Sequence, residues 1–167
     1  KNRSRIHYLM ANIEASLVEG DNNWALLLDQ DGFIAEGTGD NFFIVKEGVV
    51  ITPEGRNILR GVSRKYVIED LCPQLGISVV EKNIEPYDVY TADEAFMTGT
   101  PFCMLPVTSL NGNSIGKGKV GLVFSSVLSA WGQEVDVDIR NQIQVWNSSD
   151  GAQGLNTVTP YQYKPSI

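Results

Sequence analysis

The sequence predicts an α+β fold, a mixed and barrel-like sheet with flanking helices. Short apolar runs of strand length alternate irregularly with stretches whose apolar residues recur at helical spacing. They do not follow the strict strand–helix–strand order of a doubly wound parallel sheet. Turn pairs at Asp31-Gly32, Glu47-Gly48 and Asn111-Gly112 sit between consecutive apolar runs and favour hairpins.

Taken in order, a helical pattern is already established by Arg3, and Ser4 to Glu19 place Ile6, Leu9, Met10, Ile13 and Leu17 on one stripe. Gly20 and Asp21 stop that helix. Trp24 to Leu28 is a continuous apolar run and reads as a buried strand, followed by the Asp31-Gly32 turn into Phe33-Ile34-Ala35. Asn41 to Val45 and Val49 to Thr52 form a hairpin, and Pro53 to Asn57 a loop. Helical spacing returns from Val62 to Leu75, with Tyr66, Val67, Leu71 and Leu75 inward; Pro73 should end or kink this helix near Cys72. Ile77 to Glu81 is a strand, Tyr87 to Thr91 a helical turn, and Glu94 to Thr98 and Met104 to Leu110 are strands. Val120 to Trp131 is a third helix, and after Asn147 the chain turns polar and reads as a loose tail.

Bulk properties narrow the function. The chain has 167 residues, 43% hydrophobic and 20% charged, enough for one domain with a sizeable core. Thirteen basic against 20 acidic residues give a net charge of −7, which argues against a nucleic-acid-binding surface. No apolar run reaches the roughly 20 residues of a membrane span. Cys72 and Cys103 lack metal-ligand spacing; they could pair, but buried free thiols in a cytoplasmic protein are the better reading. No metal site is expected.

The segment Leu59-Arg60-Gly61-Val62-Ser63-Arg64 runs into a helix start, where free backbone N–H groups and the helix dipole favour phosphate. Alone this is weak, because most helices begin similarly and bind nothing. Lys1 adds an amine, Glu36 a carboxylate among small residues, and Thr98-Gly99-Thr100 a second small-residue anion contact. A phosphorylated aldehyde cofactor needs those groups.

The ordered series of motifs resembles the class IV aminotransferases, the fold-type IV enzymes that use pyridoxal 5′-phosphate (PLP). It includes Glu14-Ala15, Leu26-Leu27-Leu28-Asp29, Gly32-Phe33-Ile34-Ala35-Glu36-Gly37, Asn41-Phe42-Phe43 and Ile58-Leu59-Arg60-Gly61-Val62-Ser63-Arg64. It continues through Tyr90-Thr91-Ala92-Asp93-Glu94-Ala95-Phe96, Gly99-Thr100 and Pro106-Val107. The resemblance covers the cofactor domain, placed here at 1–147 with the polar tail at 148–167, and not the family's smaller N-terminal domain.

The resemblance implies roles. Lys1 would form the Schiff-base link to PLP and carry the substrate proton; by itself it reads as a solvated terminal lysine. Glu36 would pair with the protonated pyridine nitrogen, which keeps the ring an electron sink; otherwise it is a solvated turn residue. Leu59 would pack on a ring face rather than serve as plain core. Gly61 would precede the phosphate site, with the N–H groups of Val62 and Ser63 and the Ser63 hydroxyl holding the phosphate, and Thr100 would supply a second contact. Branched-chain enzymes commonly carry small residues where this chain has Pro101 and Phe102, beside the substrate carboxylate, so these two alter that pocket. The tyrosine such enzymes place soon after the lysine is missing at equivalent spacing; His7 and Tyr8 lie near it, and no role is assigned to His7.

The implied activity is transamination between a branched-chain or D-amino acid, or an amine, and a 2-oxo acid, in a homodimer or higher oligomer. The alternatives are a PLP-dependent lyase of the aminodeoxychorismate type and an inactive, truncated domain.

Overall fold

The computed structural model describes residues 4–20 and 22–147. Lys1, Arg3, Asp21 and the predicted tail at 148–167 lie outside the described residues. The chain divides into two compact units, Lys1–Val127 and Leu128–Ile167.

The first unit is α+β. Helix α1 (Ile6–Ser16) precedes the strands β1 (Leu26–Leu28), β2 (Ile34–Gly37), β3 (Asn41–Lys46) and β4 (Val49–Thr52). Helix α2 (Val62–Tyr66) continues through a π-helical turn (Val67–Leu71) into α3 (Cys72–Gln74). Then come β5 (Val79–Glu81), α4 (Pro86–Tyr90), β6 (Glu94–Gly99), β7 (Cys103–Val107), the small hairpin β8 (Ser109–Leu110) and β9 (Asn113–Ser114), and α5 (Leu122–Glu134), whose residues from Leu128 on belong to the second unit.

Strands β1 to β7 form one sheet, antiparallel except where β4 and β5 run parallel. Strand β3 is its axis: β2 and β4 share one edge and β6 takes the other. The mixed sheet is as predicted; the barrel-like closure is not. Among the described residues β1, β5 and β7 each have one ladder partner, so the sheet stays open. Closure depends on tilt and register between distant strands, which apolar periodicity does not encode.

The core straddles this sheet. Ile34, Phe42, Ile44, Ile84, Val89, Ala92, Ala95 and Ile115 form one buried cluster. On β3 and β6 the cross-strand pair Phe43 and Phe96 stack at 4.8 Å, and Phe124 of α5 leans on Phe96 at 6.0 Å. The Glu94 carboxylate accepts from the Val123 and Phe124 N–H groups at 3.0 and 2.9 Å, capping the start of α5.

Three local outcomes differ from the periodicity. Residues of α1 turn Tyr8, Ala11 and Ala15 to the half-buried side, while the stripe of Ile6, Leu9, Met10, Ile13 and Leu17 stays 47–80% exposed. Alanines let a helix approach closely, and a hydrophobic stripe alone does not say which neighbour is present. Pro73 does not stop its helix. Lacking an N–H, it leaves the Glu69 carbonyl without the usual partner, and the π-turn just before it absorbs that mismatch. Val67 and Leu71 are fully buried as expected, but Leu75 is exposed. The predicted strand over Met104 to Leu110 breaks at Thr108, and its last two residues form the β8–β9 hairpin around the left-handed Asn111-Gly112 turn.

In the second unit, α6 (Ile139–Asn147) was not expected from the sequence. Asp138 starts it by accepting the Asn141 N–H at 2.9 Å, a capping signal hidden in a polar stretch.

Candidate active site

Glu36 stands next to last in β2, and the chain reverses just after it, with the Gly37 N–H donating to the Asp40 carbonyl at 3.1 Å. Across that turn Glu36 pairs with Asn41, and Asn41 pairs with Thr98 on β6. Directly opposed residues share a face, so these three make a polar row over three strands. All are buried, at 8%, 5% and 1% exposure.

The loop after β4 returns over this row. The Leu59 N–H donates to Glu36 Oε2 at 2.8 Å. Asn41 Nδ2 donates to the Leu59 carbonyl at 2.8 Å and to Glu36 Oε2 at 3.3 Å. From α1, the Tyr8 hydroxyl donates to Glu36 Oε1 at 2.6 Å. A buried carboxylate thus gathers three neutral donors, and among the described residues no lysine or arginine pairs with it.

Beside the acid begins the helical stretch 62–74. A Cβ at Gly61 would stand 2.2 Å from Asn41 Oδ1, so the helix can start this close to the polar row only through a glycine. No side chain caps α2, which leaves its first N–H groups available. Leu59 and Val62 are 48% and 81% exposed, an uncovered apolar surface against the buried acid, and Ser63 is buried.

The turn from β6 to β7 lies at the same end of the sheet. A Cβ at Gly99 would come within 3.3 Å of the Gly39 carbonyl and 2.7 Å of the Phe102 ring. Thr100 and Pro101 are exposed on this turn, and the Phe102 ring meets Trp24 edge-on at 5.5 Å. Helix α2 also lies against β6.

Of the residues singled out in the sequence, Glu36 and Leu59 are therefore in direct contact, and Asn41, which bonds to both, packs against Gly61. Val62 and Ser63 follow on the same helix start, and Thr100, Pro101 and Phe102 occupy the adjoining turn. Lys1 lies outside the described residues.

Sequence reasoning missed Tyr8 and Asn41 as partners of Glu36, and also Asp40. Asn41 had a usable signal, since a tight turn after Glu36 sets it directly opposite. Asp40 is buried, its Oδ2 meets no donor among the described residues, and its carboxyl is pushed up to about 6. Burial is the main cause; the Glu36 charge adds to it, and the Gly39 and Gly37 N–H groups oppose it. Thr98 Oγ1 is likewise buried without a partner among the described residues.

Over residues 1–110 the sequence matches the family amino-transferase class IV. This chain belongs to that family. The branched-chain-amino-acid aminotransferase of Pseudomonas aeruginosa is 38% identical over 130 residues, covering 78% of this chain and 41% of that one. The solved branched-chain amino acid aminotransferase from Escherichia coli superposes with a TM-score of 0.71 at 35% identity, over 76% of this chain and 42% of its own. The Thermobaculum terrenum enzyme, solved in its PLP form, gives 0.72 at 30% identity, over 81% and 44%. This class IV aminotransferase chain thus spans less than half the length of those relatives. No helix among its described residues is long and apolar enough to cross a membrane.

Proposed function

We propose that residues 1–147 form the PLP-binding part of an aminotransferase, with 148–167 as a polar tail outside it. The enzyme exchanges an amino group between a branched-chain or D-amino acid, or an amine, and a 2-oxo acid. One observation carries this reading: Glu36 is a buried carboxylate whose partners among the described residues are all neutral donors, next to an apolar surface and an uncapped helix start. Burying a charge without a counter-charge costs several kcal/mol, roughly, and a protonated pyridine nitrogen offsets that cost. The residues present therefore fit the cofactor, and the Thermobaculum terrenum relative solved in its PLP form supports the choice.

When bound, PLP supplies an electron sink that stabilises negative charge at the substrate Cα. Each residue then has one task. Glu36 keeps the proton on the ring nitrogen and fixes the ring's far end. Leu59 covers a ring face. The N–H groups of Val62 and Ser63, the Ser63 hydroxyl and Thr100 hold the phosphate, and Gly61 lets them approach. The side-chain amine of Lys1 anchors the cofactor and takes the Cα proton. Pro101 and Phe102 narrow the side where the substrate carboxylate enters.

The same reading places the enzyme in the cytoplasm as a homodimer; the unpaired Cys72 and Cys103 are consistent with a reducing compartment. PLP titration of the protein and its Lys1→Ala variant tests the assignment. Wild type should acquire the visible absorbance of covalently held PLP and the variant should not. A band that persists without Lys1 contradicts its role, and no uptake by wild type ends the reading.

A further inference from the structure

We propose that Tyr8 is a positioning residue of this site: its hydroxyl pins Glu36 Oε1 and draws charge from the carboxylate, setting how strongly Glu36 pairs with the ring nitrogen. The inference rests on the PLP reading above and deepens it.

The contact has the geometry of a charge-assisted bond. At 2.6 Å it falls in the range of a hydroxyl donating to an ionised carboxylate. It is also the only donor on Oε1 among the described residues, since Leu59 and Asn41 both serve Oε2. Without Tyr8, Oε2 stays tethered while Oε1 is free to rotate about that anchor.

Tyr8 is itself held from several sides. The Arg5 guanidinium lies 5.3 Å from the Tyr8 ring centroid, and the His7 ring lies 4.0 Å away, centroid to centroid. Arg5 Nη2 also donates to the Thr38 carbonyl at 2.6 Å, inside the turn that follows Glu36. The start of α1 is thus strapped to the Glu36 turn at two points, one on the backbone and one on the acid. A side chain fixed by two neighbours transmits its position to the group it touches.

The phenol keeps its proton throughout the neutral range. Burial, followed by the hydrogen bond and charge of Glu36, pushes Tyr8 up to about 12, against a smaller opposing effect of Arg5. The titratable groups around it are Glu36, Arg5 and His7, with Asp40 behind Glu36. Tyr8 therefore acts as a constant donor. Its effect on the cofactor passes through Glu36 alone, because the hydroxyl is committed to Oε1.

Donor strength at position 8 can be varied in both directions. Tyr8→Phe removes the donor; 3-fluorotyrosine at the same position is a more acidic phenol and a stronger one. The full chain, loaded with PLP, is titrated in each form while following the pH midpoint of the bound cofactor's visible absorbance. With Phe the carboxylate regains charge, and the midpoint should rise by roughly one pH unit; with fluorotyrosine it should fall below wild type. A structural defect alone would not give opposite shifts. A parallel titration without cofactor follows the Tyr8 phenol, whose midpoint should fall below its wild-type value near 12 in Glu36→Gln, the part due to burial remaining.

Opposite shifts on the loaded protein support the proposal. Equal midpoints, or shifts in one direction, overturn it and leave the PLP reading standing. A phenol midpoint indifferent to Glu36→Gln overturns the contact itself. Failure of wild type to take up PLP overturns the cofactor reading, and this proposal with it.

Discussion

Two turns meet at one end of the sheet, and they are built in opposite ways. Around the turn of residues 37–40, hydrogen bonds reach in from other elements: Tyr8, Asn41 and Leu59 converge on Glu36, and Arg5 holds the Thr38 carbonyl. Around the turn of residues 99–102, which the Phe102 N–H closes by donating to the Gly99 carbonyl at 3.2 Å, the side-chain contacts are made by rings, with Phe102 against Gly99 and edge-on to Trp24. Hydrogen bonds enforce angle as well as distance, whereas apolar contact enforces little beyond proximity. On the proposed function, the first construction suits Glu36 as the group that holds the ring nitrogen. The second suits a surface whose shape selects among substrates, because an aromatic side chain can be exchanged without leaving an unsatisfied polar group behind.

On this contrast, the largest effect belongs to the polar turn. Glu36→Gln replaces one acceptor oxygen with an amide that cannot accept, leaving donors facing a donor. PLP affinity, measured by equilibrium dialysis, should drop by more than about a hundredfold, near 3 kcal/mol. Gly61→Ala comes next. Its Cβ has nowhere to go but into Asn41 Oδ1, so about 1–3 kcal/mol of stability should be lost in urea unfolding, together with cofactor retention.

Asp40→Asn should move stability in the other direction. The folded carboxyl sits near 6 against an ordinary 3.8, so the native state binds that proton more tightly than the unfolded chain does. Wild type therefore loses stability as pH rises from about 4 to about 6, and the cost persists above that window. The asparagine variant should lack this slope and gain about 2 kcal/mol at pH 7. An unchanged slope would show that Asp40 is solvated or paired in solution.

The smallest effect belongs to the aromatic turn. Phe102→Ala should leave PLP affinity within about twofold and change KM for the amino donor by about fivefold, on the scale of one lost ring contact. Loss of cofactor binding in this variant would erase the distinction between the two turns.

Much of the site was legible because its parts are short and local. The Glu36 turn, the hairpin of β3 and β4 and the helix start after Gly61 each rest on a few adjacent residues whose turn and capping chemistry can be read directly. Less legible were features that depend on distant neighbours. The π-turn at Val67–Leu71 arises from Pro73 several residues downstream. The α1 surface misled because the bulkier apolar stripe, not the Tyr8, Ala11 and Ala15 side, carried the periodic signal.

The sequence by itself determined the α+β class and most of the strand and helix order in the first unit, and it offered the groups on which the proposed cofactor reading rests. Those properties follow from local propensity and from residue chemistry, which need no partner to be recognised. Only the tertiary structure decided that the sheet stays open and that Tyr8 and Asn41 attend Glu36. It also decided that Asp40 is buried with its Oδ2 unpartnered among the described residues. Each of these depends on which surfaces come within hydrogen-bonding reach after packing, over separations such as the 28 residues between Tyr8 and Glu36. Periodicity carries no information at that range.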